Sequence, residues 1–201
     1  MAIHADKSES YALTNRGNTV AVVTDGSAVL GLGNIGPEAA MPVMEGKCIL
    51  FKGLADVDAF PLCLATQDND SIIQTVRNLA TTFGGINLED IAAPRCFEIE
   101  AALQDLGIPV FHDDQHGTAI VVLASIINSL RVVGKKIGEV KIVFSGAGAG
   151  SIASAKLLID YGAKNVILVD SQGIVSRDRT GLNSTKTEML AITNPDNTSG
   201  S

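Results

Sequence analysis

The chain has 201 residues, of which 46% are hydrophobic and 18% are charged, and its formal net charge is −7 at pH 7. This composition is sufficient to bury a core, and it excludes a disordered tail. The excess of acidic residues, with no tryptophan and only 4% aromatic residues, argues against nucleic-acid binding, because phosphate binding needs concentrated positive charge.

The chain shows no targeting or membrane signal. Its first ten residues, MAIHADKSES, lack a basic segment followed by an apolar run, so no secretory signal is predicted. Apolar stretches such as Ala119–Ile127 are shorter than the roughly 20 residues that span a bilayer. The three cysteines are an odd number at long spacings, which favours reduced thiols over disulfides or a zinc site. The sequence therefore predicts a cytoplasmic protein that does not bind membranes.

Short β-branched runs alternate with longer helical patterns along the chain, with Gly and Pro between them. The first half predicts strands at Asn18–Thr24, Cys48–Phe51, Ile86–Leu88 and Pro109–Phe111, and a helix at Pro94–Leu106. The second half predicts a core helix at Gly117–Val133, a strand at Val140–Phe144, a helix at Gly150–Tyr161, a strand at Asn165–Val169 and a polar tail at Asn194–Ser201. This alternation predicts an α/β fold of parallel strands and packed helices. We place the domain boundary near Asp114–Gly117, which gives domains at 1–115 and 116–201.

The complete pattern G-x-G-x-x-G occurs once, at Gly31–Gly36. Such a loop brings backbone N–H groups close to a pyrophosphate when a strand precedes it and a helix follows. Here Pro37 and Pro42 follow the loop, and Pro42 would break a long helix unless it lay near one end. Asp56 and Asp58 lie downstream at a plausible distance for a ribose-binding acid. The context favours a tight turn or a substrate-facing wall, and a phosphate loop is the alternative.

A near-match to the same pattern has the better context. Its residues are Gly146, Ala147, Gly148, Ala149, Gly150 and Ser151. The strand KIVFS leads into the loop, a helical pattern follows, and a second strand ends at Asp170, 24 residues after Gly146. An acid at about this distance is where a ribose hydroxyl is bound in dinucleotide folds. The sequence therefore predicts a dinucleotide site here, with a plain strand–turn–helix unit as the alternative.

Two pairs of adjacent acids follow predicted strands. Glu89-Asp90 comes after GGINL, and Asp113-Asp114 comes after PVFH. Acids at the carboxyl ends of neighbouring parallel strands would converge, and several carboxylates are the ligands that hard divalent cations prefer. The alternative is that the acids only stabilise helix N-termini. His112 and His116 have a spacing that zinc sites use, but we expect them to hydrogen-bond around the acids.

Lys47 follows a segment that is apolar from Ala39 to Val43. A lysine that loses solvent in such a setting has a lowered pKa and is able to act as a general base. The alternative is a solvated lysine near the C-terminal end of a helix.

Together these motifs resemble the malic enzyme family in its short prokaryotic form. The stretches that carry the resemblance are Thr24–Lys47, Phe83–Glu100, Phe111–Ala119 and Ser145–Ser151. The resemblance extends from about Asn15 to about Lys186 and implies an N-terminal malic-type α/β domain followed by the first part of a Rossmann-like dinucleotide-binding domain. Members of this family are oxidoreductases that convert malate to pyruvate and CO2 with NAD or NADP and Mg2+ or Mn2+.

The resemblance also implies a role for each candidate residue. Glu89, Asp90 and Asp114 match the metal ligands, Lys47 matches the general base, and Asp113 would lie beside the metal and tune that lysine. In the nucleotide domain, the loop from Gly146 to Ser151 matches the pyrophosphate loop and Asp170 the ribose acid. The residues Gly31, Gly33, Asn34 and Gly36 would form a wall near the substrate and the nicotinamide.

Cofactor choice and assembly follow from the same resemblance. Asp170 would repel a 2′-phosphate and Gln172 supplies no cation, which favours NAD over NADP. Malic enzymes are usually dimers or larger, so a homo-oligomer with a small-molecule substrate, malate, is expected.

Two features of the family are missing from the chain. The family's proton-donating tyrosine lies in a Tyr-Thr-Pro-Gly-like segment, and Tyr11 lacks the Pro-Gly that follows it. The dinucleotide domain stops after two of its expected strands. We therefore expect a partial chain, and the alternative function is a truncated, inactive fragment that acts at most as a metal- and nucleotide-binding module. A further alternative is an NAD-dependent dehydrogenase of α/β fold that acts on amino acids.

Overall fold

The computed structural model describes residues 1–200, and Ser201, the last residue of the predicted polar tail, lies outside them. The chain divides into unit 1, Met1–Asp113, and unit 2, which begins at Asp114. Both units contain parallel strands joined through helices, which confirms the predicted α/β class. The sequence-based domain boundary between residues 115 and 116 remains a prediction.

Unit 1 is built on four parallel strands. They are β1 (Thr19–Thr24), β2 (Asp58–Cys63), β3 (Gly85–Leu88) and β4 (Val110–His112), and their order in the sheet is β2-β1-β3-β4. The helices are α1 (Ala2–Ala5), α2 (Ser10–Leu13), α3 (Pro37–Ala55), α4 (Asn69–Leu79) and α5 (Arg95–Ala102), with short 3-10 turns at Lys7–Glu9 and Asn15–Asn18. The predicted strands that correspond to β1, β3 and β4 are confirmed, with shifts of a residue or two at their ends.

The centre of this sheet is apolar on both faces. Ala21, Val22 and Val23 in β1 are fully buried, as expected for a strand with a partner strand on each side and helices over the sheet. Strand β2 is at the edge of the sheet and contains Pro61. Proline has no N–H to donate and is therefore tolerated at an edge. The proline also explains why the sequence pattern did not indicate β2.

The largest departure from the sequence-based expectation is helix α3. The predicted strand Cys48–Phe51 is wrong, because these residues lie inside this 19-residue helix. Pro37 occupies its first turn, where a missing N–H costs nothing. Pro42 lies inside the helix without ending it, which contradicts the expectation that it would break a long helix. Lys47 is therefore a mid-helix residue and does not precede a strand.

Unit 2 contains a smaller sheet. Helix α6 (Asp113–Val133) begins at the last residue of unit 1, and β5 (Lys141–Ser145), α7 (Ala149–Asp160), β6 (Asn165–Asp170), β7 (Gly173–Ile174) and α8 (Ser184–Met189) follow, with a 3-10 turn at Ile137–Glu139. Strands β5 and β6 are parallel, and β7 pairs antiparallel with β6. The core of this unit includes Ile152, Leu158, Leu168 and Met189.

Helix α6 is largely uncovered. Ala119 is its one residue classed as buried among those described, whereas Ile120, Val121 and Val132 are each more than 60% exposed. The predicted helix is confirmed, and Val122, Leu123 and Ile126 pack against the core of unit 2. The expectation that core surrounds this helix is wrong for residues 1–200, since much of its apolar surface is exposed. By length and composition alone, α6 could cross a membrane, but core helices of globular proteins share this composition. Within the most apolar 18-residue stretch of α6, 6% is buried.

Candidate active site

The register of β3 and β4 sets the two acidic pairs at one end of the sheet. Leu88, the last residue of β3, lies opposite His112, the last residue of β4. Because the strands are parallel, the residues that follow each strand emerge at the same edge. Glu89-Asp90 and Asp113-Asp114 are those residues.

Three of the four carboxylates approach one another closely. One carboxylate oxygen from each of Glu89, Asp90 and Asp114 lies within 4.8 Å of the other two. Asp114 directly follows Asp113 in the chain, so its position follows from the end of β4. Glu89 and Asp90 are buried and Asp114 is half-buried. An all-oxygen donor set of this kind fits Mg2+ or Mn2+, which prefer carboxylate and water ligands to nitrogen or sulfur. The structure thus brings together the three residues predicted as metal ligands.

Lys47 reaches this cluster from helix α3. Its Nζ atom lies 2.8 Å from Oδ2 of Asp113 and 3.0 Å from Oε2 of Glu89. The lysine side chain is 22% exposed, so the contacts with both carboxylates are partly shielded from water. Lys47 therefore connects one predicted metal ligand to the predicted tuning residue.

These contacts reverse the expected effect on Lys47. Burial by itself lowers the pKa of Lys47, but the hydrogen bond to Asp113 and the charge and hydrogen bond of Glu89 together outweigh it, so the pKa is raised. The prediction of a lowered pKa is therefore wrong. It considered only the apolar neighbours in sequence, whereas two carboxylates from distant segments pair with the ammonium group.

Glu89 is oriented by a residue that the sequence analysis missed. Asn87, fully buried in β3, donates from Nδ2 to Oε2 of Glu89 at 2.8 Å. Burial raises the pKa of Glu89, with the hydrogen bond from Asn87 and the charge of Lys47 acting in the opposite direction. The sequence signal that could have indicated Asn87 is its position as a polar residue inside the otherwise apolar strand GINL.

The sequence analysis also missed a pair of residues that lies beside the metal-ligand candidates. Asp25, directly after β1, is 0% exposed, and its carboxylate accepts hydrogen bonds from Arg95 Nη2 and from the Ser27 backbone N–H. Arg95 begins helix α5. The sequence analysis assigned neither residue, although a buried aspartate usually has a cationic partner.

The Gly31–Gly36 segment is a tight turn. The Val29 N–H donates to the Gly33 carbonyl at 3.0 Å, and the Gly33 N–H donates to the Val29 carbonyl at 2.8 Å. Gly31, Gly33 and Gly36 all have positive φ angles, and Asn34 exchanges two hydrogen bonds with Gln67. The structure thus shows the turn that the sequence favoured over a phosphate loop, and the role of these residues beside the substrate remains a prediction.

The second glycine loop joins a strand to the N-terminus of a helix, as the sequence predicted. It follows β5, and Gly148 is the N-terminal capping residue of α7. Gly146 has a φ of 124°, which favours glycine. A Cβ atom on Gly148 would meet no atom within 4 Å, so the N-terminus of α7 is open there, whereas one on Gly150 would lie 3.2 Å from the Asp114 carbonyl. The lack of a side chain at Gly150 therefore permits α7 to pack closely against the start of α6.

Asp170 is enclosed by cations. Arg179 binds both of its carboxylate oxygens, at 2.9 and 3.1 Å, and Lys186 Nζ lies 2.7 Å from Oδ2. The hydrogen bonds from Arg179 and then Lys186 hold the pKa of Asp170 far below its ordinary value. Two cations from later in the chain thus lie at this acid, which weakens the preference for NAD expected from Gln172.

Comparison with known proteins agrees with this architecture. Residues 4–71 and 66–104 match the malic enzyme N-terminal domain, and residues 115–198 match the malic enzyme NAD-binding domain. The NAD-dependent malic enzyme of Geobacillus stearothermophilus is 58% identical over 100% of this chain and 42% of its own length. The NADP-dependent malic enzyme of Haemophilus influenzae is 53% identical over 89% of this chain and 24% of its own length.

A solved structure agrees as well. The NAD-dependent malic enzyme of Thermotoga maritima superposes with a TM-score of 0.95 and 53% identity, over 99% of this chain and 54% of that one. The chain thus spans less than half the length of the two curated relatives, and it contains an N-terminal malic enzyme domain followed by the start of a Rossmann-like NAD-binding domain. On these matches, the chain belongs to the malic enzyme family.

Proposed function

We propose that the protein catalyses the oxidative decarboxylation of malate to pyruvate and CO2, with reduction of NAD or NADP and dependence on a divalent metal. The observation that carries this proposal is the contact of Lys47 with both Glu89 and Asp113 beside three converging carboxylates. A lysine next to a metal-ligand set is placed to take a proton from the hydroxyl group of a bound substrate, once it has given up one of its own protons to a neighbouring carboxylate.

Glu89, Asp90 and Asp114 would hold the metal. Three carboxylates neutralise most of the charge of a divalent cation and leave positions for two oxygens of a hydroxy acid. When bound, such a cation acts as a Lewis acid that stabilises the negative charge developing on the substrate oxygen as CO2 departs. Asn87 and Lys47 orient Glu89, so the ligand is positioned before the substrate arrives.

Lys47 would act on the hydroxyl group at C2 of malate. Lys47 would accept the proton of that hydroxyl group, while a bound nicotinamide would supply the oxidant for C2. The lysine must first release one of its own protons, and Oδ2 of Asp113 is an acceptor at 2.8 Å. Asp113 thus serves as the tuning residue that the resemblance implies.

The nucleotide would bind unit 2. The backbone at Gly148 and the first turn of α7 offers N–H groups and the positive end of the helix dipole to a pyrophosphate. The open space at Gly148 supports this, since the loop leaves room for a phosphate oxygen. Asp170, with Arg179 and Lys186, would face the adenosine ribose. Both NAD and NADP are compatible with this charge arrangement, and the relatives compared above include an NAD-dependent and an NADP-dependent enzyme. The negative charge of Asp170 supports NAD.

Turnover assays test the proposal directly. The protein is incubated with malate, Mn2+ and either NAD or NADP, and reduced nicotinamide and pyruvate are quantified separately. We expect equal amounts of both products, dependent on malate and on the metal. Absence of turnover in a protein that still binds Mn2+ would contradict the proposed reaction. Turnover of an amino acid instead of malate would identify a different dehydrogenase.

The alternative function is a module that binds metal and nucleotide without turnover. The chain spans 42% of the length of the Geobacillus relative, and the metal-ligand candidates and the Gly146–Ser151 loop both lie within these residues. Binding of Mn2+ and NAD without product formation supports this alternative, and turnover by the 201 residues excludes it.

We also propose a cytoplasmic homo-oligomer. The uncovered apolar residues of α6 and the exposed side chains of Leu50 and Leu54 on α3 support burial against further protein. Light scattering coupled to gel filtration measures the assembly directly, and a monomer at micromolar concentration would contradict it.

A further inference from the structure

The buried pair of Asp25 and Arg95 has no part in the chemistry described above. Asp25 is 0% exposed, and its carboxylate is bound by the Arg95 guanidinium. Removing a carboxylate from water is costly unless a cation and hydrogen bonds replace the solvent. An ion pair between a fully buried carboxylate and an arginine that is 26% exposed, next to candidate metal ligands, therefore calls for a specific role.

Arg95 connects three loops at the carboxyl end of the sheet. It contacts Asp25, which follows β1, and it donates from Nη1 to the carbonyl of Gln67 at 2.8 Å, in the segment between β2 and α4. Arg95 itself lies just after the segment that follows β3. The three loops at the ends of β1, β2 and β3 thus meet at one guanidinium group.

Asp90 lies in the third of these loops and has an unusual backbone. Its φ is 52°, in the left-handed region, which is unfavourable for a residue with a Cβ atom. Two hydrogen bonds hold this conformation. The Ala28 N–H donates to the Asp90 carbonyl at 2.9 Å, and the Ala92 N–H donates to Oγ of Ser27 at 2.9 Å.

Asp25 forms a hydrogen bond with the Ser27–Ala28 segment, which makes those two bonds. Its Oδ1 atom accepts the Ser27 N–H at 3.0 Å, while Oδ2 accepts Arg95. One carboxylate thus joins the Ser27–Ala28 segment to the start of α5, and the strained residue Asp90 lies between the two attachment points.

We propose that the Asp25–Arg95 pair positions Asp90 as a metal ligand, by holding its left-handed backbone so that its carboxylate stays with those of Glu89 and Asp114. This inference rests on the proposed metal site. Asp25 and Arg95 are positioning residues, since they act on the metal through the backbone of Asp90. Loss of the pair releases the loop, and Asp90 then relaxes toward an ordinary backbone conformation.

Mn2+ affinity tests the inference, measured from the electron paramagnetic resonance signal of free Mn2+ at a temperature below the unfolding midpoint of every variant. Asp25→Asn keeps the size of the side chain and one acceptor oxygen but removes the charge that pairs with Arg95. We expect Mn2+ to bind about 10–100-fold more weakly, as for other residues that orient metal ligands. The control is Asp105→Asn, which removes an exposed pair with Arg77 in the same unit and should leave the affinity unchanged.

A second variant provides a test if Asp25→Asn fails to fold. Ser27→Ala removes the hydrogen bond to Ala92 without touching the ion pair, and it should weaken Mn2+ binding by a smaller factor. Amide hydrogen exchange of residues 89–92 is measured on both variants without metal, and we expect it to rise relative to the Asp105→Asn control. This readout reports the position of the loop independently of any metal.

The outcomes separate the two proposals. If the wild-type protein does not bind Mn2+, the proposed metal site is wrong and this inference is overturned with it. If the wild type binds Mn2+ and Asp25→Asn and Ser27→Ala bind it equally well, the positioning role alone is wrong. Weaker binding together with faster exchange at residues 89–92 supports the role.

Discussion

Lys47 and Asp113 are 66 positions apart in the chain, yet Nζ of the first lies 2.8 Å from Oδ2 of the second. Helix α3 carries the lysine and the end of β4 carries the aspartate, so the contact exists only because the sheet places both at one edge. The same lysine contacts Glu89. This three-residue contact joins the proposed proton-transfer group to a candidate metal ligand, and the prediction for Lys47 depends on it.

Replacing Lys47 with methionine should abolish most of the activity of the protein. We expect kcat to fall about 10²–10⁴-fold, the range in which a general acid or base contributes. Lys52→Met is the matched control, because Lys52 lies on the same helix and pairs with exposed acids, and its side chain is 56% exposed. Steady-state kinetics with malate measures both variants, and full activity in Lys47→Met would remove the lysine from the mechanism.

Replacing Asp114 with alanine should weaken Mn2+ binding by at least about 100-fold, because a ligand contributes more than the outer-shell groups whose loss costs 10–100-fold. The fold should be retained, since Asp114 is half-buried and lies in the first turn of α6. Isothermal titration with Mn2+ measures the affinity, and circular dichroism checks the fold. Asp160→Asn, at an exposed position on α7, is the control. Unchanged Mn2+ affinity in Asp114→Ala would contradict the assignment.

Gly148→Val separates nucleotide binding from folding. A side chain at Gly148 meets no atom within 4 Å, and its φ of −89° suits any residue, so the fold should be unaffected. The new side chain would occupy the space at the N-terminus of α7 where a pyrophosphate approaches. We expect NAD affinity to fall at least tenfold in calorimetric titration, which corresponds to a loss of about 1.4 kcal/mol of binding free energy. The control is Gly53→Val on α3, which is equally open, and equal NAD affinity in both variants would refute the loop assignment.

Asp170 makes the stability of unit 2 depend on pH. Arg179 and Lys186 hold its pKa below the ordinary value, so the ionised carboxylate stabilises the fold above the unfolded-state pKa of about 4. That stabilisation is lost as the pH falls through the lowered, folded-state pKa. Asp170→Asn should therefore reduce the free energy of unfolding by about 1–3 kcal/mol near neutral pH. The difference from the wild type should narrow below about pH 4.

Urea unfolding followed by circular dichroism at several pH values measures this effect. Asp160→Asn should show no such dependence, because Asp160 is exposed. A constant difference between Asp170→Asn and the wild type across the pH range would exclude the ion pairs as its source.

Local sequence patterns predicted most of the regular structure. The β-branched runs at β1, β5 and β6 were correctly predicted to be strands, because a buried parallel strand needs a continuous apolar segment. The run CILF was wrongly predicted to be a strand, because a short apolar run is compatible both with a strand and with a buried helix. Its place within α3 depends on the residues on both sides, from Pro37 to Ala55.

The sequence by itself determined the α/β class, the phosphate-loop candidate before α7 and the identity of the acids, because each depends on residues close together in the chain. The tertiary structure decided which acids converge, since Glu89, Asp90 and Asp114 meet only through the register of β3 and β4. It also decided the direction of the Lys47 pKa and the cations at Asp170. Electrostatic shifts depend on distances of a few ångströms between charges, and those distances exist only in the folded chain.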